Sequence, residues 1–183
     1  AHPAASPLAL RDCPAPPDLG VRFVGRYDGC DPPGVGIGWS GTGFVARFTG
    51  TGVALRHRGP VVEYTVVVDG RVLDKVVTTA GAGTFPLVTG LPAGEHRLEV
   101  YRRGEASFGA ATIQGLAVTD GALLPPPPPR ERALEIVGDS ISCGYGNEGT
   151  STDCHFSAAT EDHYRSYGAE LGRRFEADVS TVA

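Results

Sequence analysis

Between Val21 and Asp120 the apolar positions alternate with polar ones or gather in short unbroken runs, and no stretch carries the three-four spacing of an amphipathic helix. Strand follows strand: VRFVGRY (21–27), GFVARFTG (43–50), GVALRHRG (52–59), VEYTVVVDG (62–70), RVLDKVVTT (71–79), HRLEVYRR (96–103) and ATIQGLAVT (111–119). Turn chemistry separates them. Asp69-Gly70 is a two-residue hairpin signal, because a primed turn needs positive φ. Gly50-Thr51-Gly52 and the run Gly90 to Gly94 mark two further reversals. So many short strands joined by tight turns predict an antiparallel β-sandwich or jelly roll.

The pattern changes at Pro125 to Pro129, five prolines that cannot donate to a ladder and favour an extended spacer of about 15 Å. They divide the chain into a sandwich domain over 1–124, a linker over 125–129 and a second unit over 130–183. In that unit ALEIVG (133–138) reads as a short apolar strand. The stretch from Thr160 to Phe175 then carries Tyr164, Tyr167, Leu171 and Phe175 at helical spacing. Thr160 is the expected N-cap, with Glu161 and Asp162 in the first turn, where the helix dipole favours negative charge. Gly168 and Gly172 each cost the helix about 1 kcal/mol against Ala, which close packing on a sheet would explain. Residues 177–183 complete a strand–loop–helix–strand unit of an α/β fold, with most of its sheet uncovered.

Composition narrows the function. Sixteen Lys and Arg against twenty-one Asp and Glu, without a basic run, argue against a nucleic-acid partner. No run of apolar residues is long enough to cross a membrane as a helix. Methionine is absent, so the chain is expected to be a processed piece of a longer precursor, with an export signal removed before Ala1. The four cysteines fall in two local pairs, Cys13 with Cys30 and Cys143 with Cys154, which reads as two disulfides of a secreted or periplasmic protein. Reduced cysteines packed as small hydrophobes are the competing reading. A metal site from Cys143, Asp153, Cys154 and His155 lacks the usual ligand spacing, and no metal is expected.

The candidate chemistry follows directly on the apolar strand, in GDSISCGYGNEG (138–149). The carboxyl ends of strands in an α/β sheet face the functional crevice, so Ser140 is placed as a nucleophile. Gly138 relieves crowding at the sharp turn, Asp139 sits beside the serine, and the Ser140 N–H can meet a developing oxyanion. Tyr145 either lines the acyl crevice or packs the loop. Gly, Asp and Ser are also ordinary turn formers, so the tripeptide alone reads as a turn before it reads as a nucleophile.

Those residues, with EDHYRSYGAELGRRF (161–175) and, upstream, VRFVGRY, WSGTGFVARFTG, the VDG turn, LPAGEHRLEV and RRGEASFGAATIQG, resemble carbohydrate esterase family 2. Members of that family are SGNH (GDSL-type) hydrolases with a β-sandwich jelly roll ahead of a flavodoxin-like, three-layer catalytic domain. The resemblance implies that residues 130–183 begin such a domain. It also implies that Ser140 removes O-acetyl groups from plant-type polysaccharides or oligosaccharides, such as acetylated xylan or glucomannan, through an acetyl-enzyme and without a cofactor. A serine hydroxyl needs a base to take its proton and fixed donors for the tetrahedral oxygen. The family draws a Gly, an Asn and a late His from blocks that do not occur in this sequence.

The histidines are His2, His57, His96, His155 and His163. His57 and His96 lie on predicted strands and read as solvated or hydrogen-bonded structural residues, and His163 as a solvated one. His155 is near enough in sequence to approach Ser140, although a disulfide at Cys154 explains its surroundings more simply. Two accounts cover the missing elements, a truncated polypeptide or a second chain that brings the Gly, Asn and His. The second is preferred because an uncovered strand edge and apolar helix surface aggregate. Trp39 either stacks on sugar or anchors the core or a domain interface, the anchor being the usual role of a single Trp. Arg26, Arg47, Arg102, Arg103 and Glu105 form either a polar patch at the domain junction or ordinary solvated charges. Two alternative functions stand beside the acetyl esterase: a non-catalytic carbohydrate-binding sandwich, and an esterase or lipase for longer acyl chains.

Overall fold

The structure is a computed structural model and describes residues 17–30 and 33–183. Two antiparallel sheets face each other. The larger, seven-stranded sheet runs β1 (Arg22–Val24), β4 (Gly43–Gly50), β10 (Gly94–Arg102), β6 (Glu63–Val68), β7 (Arg71–Val72), with β12 (Ala122–Leu124) on β4 and β8 (Val76–Val77) on β6. The five-stranded sheet runs β2 (Tyr27–Asp28), β3 (Val35–Ile37), β11 (Ala111–Thr119), β5 (Gly52–Gly59), β9 (Gly81–Val88). Alternation along the strands fills the space between them: Phe44, Phe48, Leu98 and Val100 from one sheet meet Leu55, Leu87 and Ile113 from the other in one buried cluster. The predicted β-sandwich is therefore present.

The hairpin at Asp69-Gly70 has positive φ at both residues, 51° and 79°, as a primed turn requires. Predicted VRFVGRY breaks into β1 and β2 where Gly25 takes φ 86°, and RVLDKVVTT shrinks to the two-residue strands β7 and β8. Three strands escape the sequence pattern: β3, β9 and β12. Strand β9 holds two glycines and Pro86, and it lies at the sheet edge, where a missing donor costs little.

After the prolines, β13 (Arg132–Val137) pairs in parallel with β14 (Ala177–Val182), register Arg132 to Ala177 through Val137 to Val182. Between them lie α1 (Ser140–Cys143), 3₁₀ turns at Ala158–Thr160 and His163–Arg165, and α2 (Tyr167–Arg174). The expected single helix from Thr160 is thus replaced by a later and shorter one. Glu161 and Asp162 are buried instead of sitting in a first turn, and the Ser166 hydroxyl caps α2 by accepting from the Ala169 N–H. The helix lies on the sheet by its glycines: a Cβ at Gly168 would stand 2.9 Å from Ile136 and one at Gly172 2.1 Å from Val179. Of the predicted stripe, Tyr167, Leu171 and Phe175 face outward, while Tyr164, in the 3₁₀ turn ahead of the helix, is half-buried against Tyr101.

The proline run is held rather than free. Arg22 donates from Nε to the Pro127 carbonyl at 3.0 Å and pairs with Asp178 on β14 at 2.7 Å, while the Arg130 N–H donates to the same carboxylate at 3.1 Å.

Candidate active site

The Gly138 N–H donates to the Val182 carbonyl at 3.0 Å, carrying the β13–β14 pairing one residue beyond the strand. The chain then turns sharply. Asp139 closes the start of α1, its Oδ1 accepting from the Ile141 N–H at 3.0 Å and its carbonyl from the Ser142 N–H at 2.9 Å. Ser140 is the first residue of that turn, half-buried at the end of the sheet, between the exposed side chains of Val137 (77%) and Ile141 (71%). Among the described residues no acceptor takes its N–H.

Gly138 is required by close approach: a Cβ there would lie 2.1 Å from Ser142 Oγ, which is itself hydrogen-bonded to Tyr167 Oη at 2.8 Å. Gly144, at φ 89°, ends α1, and the Tyr145 N–H donates back to the Ser140 carbonyl at 2.9 Å. Asn147 fixes the rest of the loop by a reciprocal pair of bonds to the Asp162 backbone, 2.8 and 3.0 Å. The glycine-rich segment is therefore a braced turn presenting one serine.

The predicted disulfide between Cys143 and Cys154 does not form, and both are free thiols. Helix α1 turns Cys143 into the layer against the sandwich, while Cys154 stays exposed with its Sγ donating to the His155 carbonyl at 3.7 Å. The pairing of Cys30 with Cys13 involves Cys13, which lies outside the described residues. The buried Cys143 thiol, pushed up by burial, shares its surroundings with the carboxylates of Glu105 and Glu161, ligand atoms lying within 4.8 Å of one another. Burial and the neighbouring Glu105 raise Glu161 to about 7. The sequence places Glu161 in the first turn of a helix and gives no sign of this position.

None of the described histidines is bonded to Ser140. His57 is fully buried between Tyr64 and Phe85 and has no hydrogen-bond partner among the described residues, which corrects its reading as solvated or hydrogen-bonded, and burial with Arg102 nearby lowers it to about 4. His96 is structural, bonded to Asp69 at 2.7 Å and to the Pro92 carbonyl at 2.9 Å. His163 is buried, not solvated: its ring packs over Gly41, its Nε2 pairs with Thr181 Oγ1 at 2.8 Å, and burial with Arg173 nearby lowers it to about 4. His155 is exposed on the loop, and His2 lies outside the described residues.

Of the arginines read as a junction patch, Arg103 is the central one. It is buried and pairs with Asp162 at 2.9 Å and with Glu148. Arg102 is buried beside it, donating to the Gly104 and Glu105 carbonyls. Arg26 reaches Glu135 on β13 at 2.9 Å, whereas Arg47 makes only an exposed pair with Glu95. Trp39 borders an open groove with Tyr27 and Asp28.

The family model described as carbohydrate esterase 2 N-terminal matches residues 23–128. The cellulase/esterase CelE of Acetivibrio thermocellus is 38% identical over 165 residues, 90% of this chain and 20% of that protein. An acetylxylan esterase / glucomannan deacetylase of Cellvibrio japonicus is 25% identical over 172 residues, 93% of this chain and 47% of that protein. A solved family two carbohydrate esterase from Clostridium thermocellum, in complex with cellohexaose, superposes with a TM-score of 0.86 at 38% identity, covering 90% of this chain and 51% of that one. The chain thus spans between a fifth and about half of the length of these relatives.

Proposed function

The chain belongs to the carbohydrate esterase 2 family by its N-terminal region, and from that premise we propose that it is the nucleophile-bearing part of an exported serine esterase. Its substrates are O-acetyl groups on plant-type polysaccharides or oligosaccharides, acetylated xylan and glucomannan among them. The observation that carries this is Ser140 itself, held at the carboxyl end of a parallel strand by a turn that Gly138, Asp139 and Gly144 lock in place.

In this reading the Ser140 hydroxyl attacks the acetyl carbonyl carbon while a base takes its proton. The tetrahedral oxygen is met by the Ser140 N–H and by further donors. The sugar oxygen leaves with a proton, and water then attacks the acetyl-enzyme to release acetate and restore the serine. The imidazole and the remaining Gly and Asn donors come from further polypeptide, as a second chain or a continuation, that completes an SGNH-type catalytic domain. Support for this comes from the burial of His57 in the sandwich core, from the hydrogen bonds that hold His96 and His163 elsewhere and from the greater length of the relatives. The outward stripe Tyr167, Leu171 and Phe175 is apolar surface of the kind such polypeptide would cover.

The test uses the complete enzyme with 4-nitrophenyl acetate and a fluorophosphonate probe. We expect the probe to map to Ser140 and Ser140→Ala to lower kcat/KM by a factor on the order of a thousand or more. Labelling at another residue, or full activity in Ser140→Ala, overturns the assignment.

A further inference from the structure

We propose that the outer face of Tyr145 is a stacking platform for an uncharged pyranose ring of the glycan main chain, beside the sugar whose ester Ser140 attacks. The proposal takes its reaction partner from the esterase reading, but its geometry is independent of it. Three rings form a ladder across the junction. Phe108 comes from the 3₁₀ turn Ala106–Phe108 after β10, and Phe156 and Tyr145 come from the loop that follows α1. Tyr145 and Phe156 stack at 3.9 Å with planes 7° apart, and Phe156 stacks on Phe108 at 6.1 Å and 23°. Among the described residues Phe156 is thus in ring contact with both Phe108 and Tyr145.

Phe108 meets Phe156, Phe156 stacks on Tyr145, and Tyr145 remains 47% exposed, which leaves ring surface for a ligand. The Tyr145 backbone N–H is bonded to the Ser140 carbonyl at 2.9 Å, so the platform and the nucleophile are fixed to one turn. A ring already held in place loses little freedom when a ligand lands on it. A pyranose with equatorial substituents offers an apolar C–H face to such a ring and leaves its hydroxyls at the rim, within reach of the phenol. Charge favours a neutral ligand. Among the described residues no cation lies over these three rings, the cation–π contact being Arg173 on Tyr164, and the chain's net charge is −5, a poor match for a nucleobase carried on phosphate.

The test compares the full-length enzyme with its Tyr145→Ala and Tyr145→Phe variants on an acetylated xylo-oligosaccharide and on 4-nitrophenyl acetate, which has no sugar. Tyr145→Ala is expected to lower the oligosaccharide-to-nitrophenyl ratio of kcat/KM about tenfold, through KM, and Tyr145→Phe to hold it within about twofold. An unchanged ratio in Tyr145→Ala, or an equal loss in both variants, overturns the platform. So does a change confined to butyrate against acetate, which would make Tyr145 part of the acyl crevice. In Tyr145→Trp, unacetylated xylohexaose should quench fluorescence beyond any change in the parent, and no added quenching overturns it. If neither ester is hydrolysed, the esterase reading fails and this binding measurement alone decides the platform.

Discussion

His57 and His163 stay uncharged in the folded chain until about pH 4, burial having pulled both down from 6.5. The unfolded chain takes up those protons near 6.5, so their contribution to stability is whole above 6.5 and is lost as the pH falls toward 4. Glu161 runs the other way. Raised from 4.5 to about 7, it contributes fully below 4.5 and loses that contribution as the pH rises through 7. Two histidines outweigh one carboxyl, so thermal melts should show Tm falling from pH 6.5 to 4.5, each kcal/mol lost appearing as about 2–4 °C. Glu161→Gln should remove the opposing trend and steepen the fall. A Tm that is flat over that window contradicts this account. At this scale the sharp turn that carries Ser140 was legible, because a Gly-Asp-Ser following an apolar strand is a local signal. Glu161 and His163 were not, because their burial is imposed by Gly41, Arg102 and Glu105, residues far away in sequence.

Propensity and packing disagree over α2. Gly172→Ala should favour the isolated helix by about 1 kcal/mol. The added Cβ, however, would stand 2.1 Å from Val179 Cγ2, and a valine on a paired strand has no long side chain to swing aside. We expect Gly172→Ala to destabilise the protein by about 1–3 kcal/mol in urea unfolding, and a stabilised variant would show that the helix does not lie so close to β14. The same closeness explains what the hydrophobic pattern misread. Its stripe predicted the buried face, yet the helix settles on Gly168, Ala169 and Gly172, and the stripe faces away. Long alternating strands such as β4, β5 and β11 were read with their observed bounds, since each has one face in the core. Strand β9 was missed because Pro86 and two glycines erase its alternation at an edge where pairing tolerates them.

Across the whole molecule the junction is tied by charge. Arg103, 5% exposed, leaves the end of β10 to meet Asp162, 3% exposed, with Thr65 on the same carboxylate at 3.0 Å. Arg103→Met removes one partner and leaves the other charge buried, which typically costs about 3–5 kcal/mol. Adding Asp162→Asn should return part of that loss in denaturant titrations, and a single variant as stable as the parent would show the pair to be dispensable. The proline run that reads as a linker in the sequence gives no sign that Arg22 clasps Pro127 and Asp178 together. That clasp removes the swing an unattached spacer would allow. Fasten the protein to a support through its sandwich, and the turn that carries Ser140 is presented at a single height and heading.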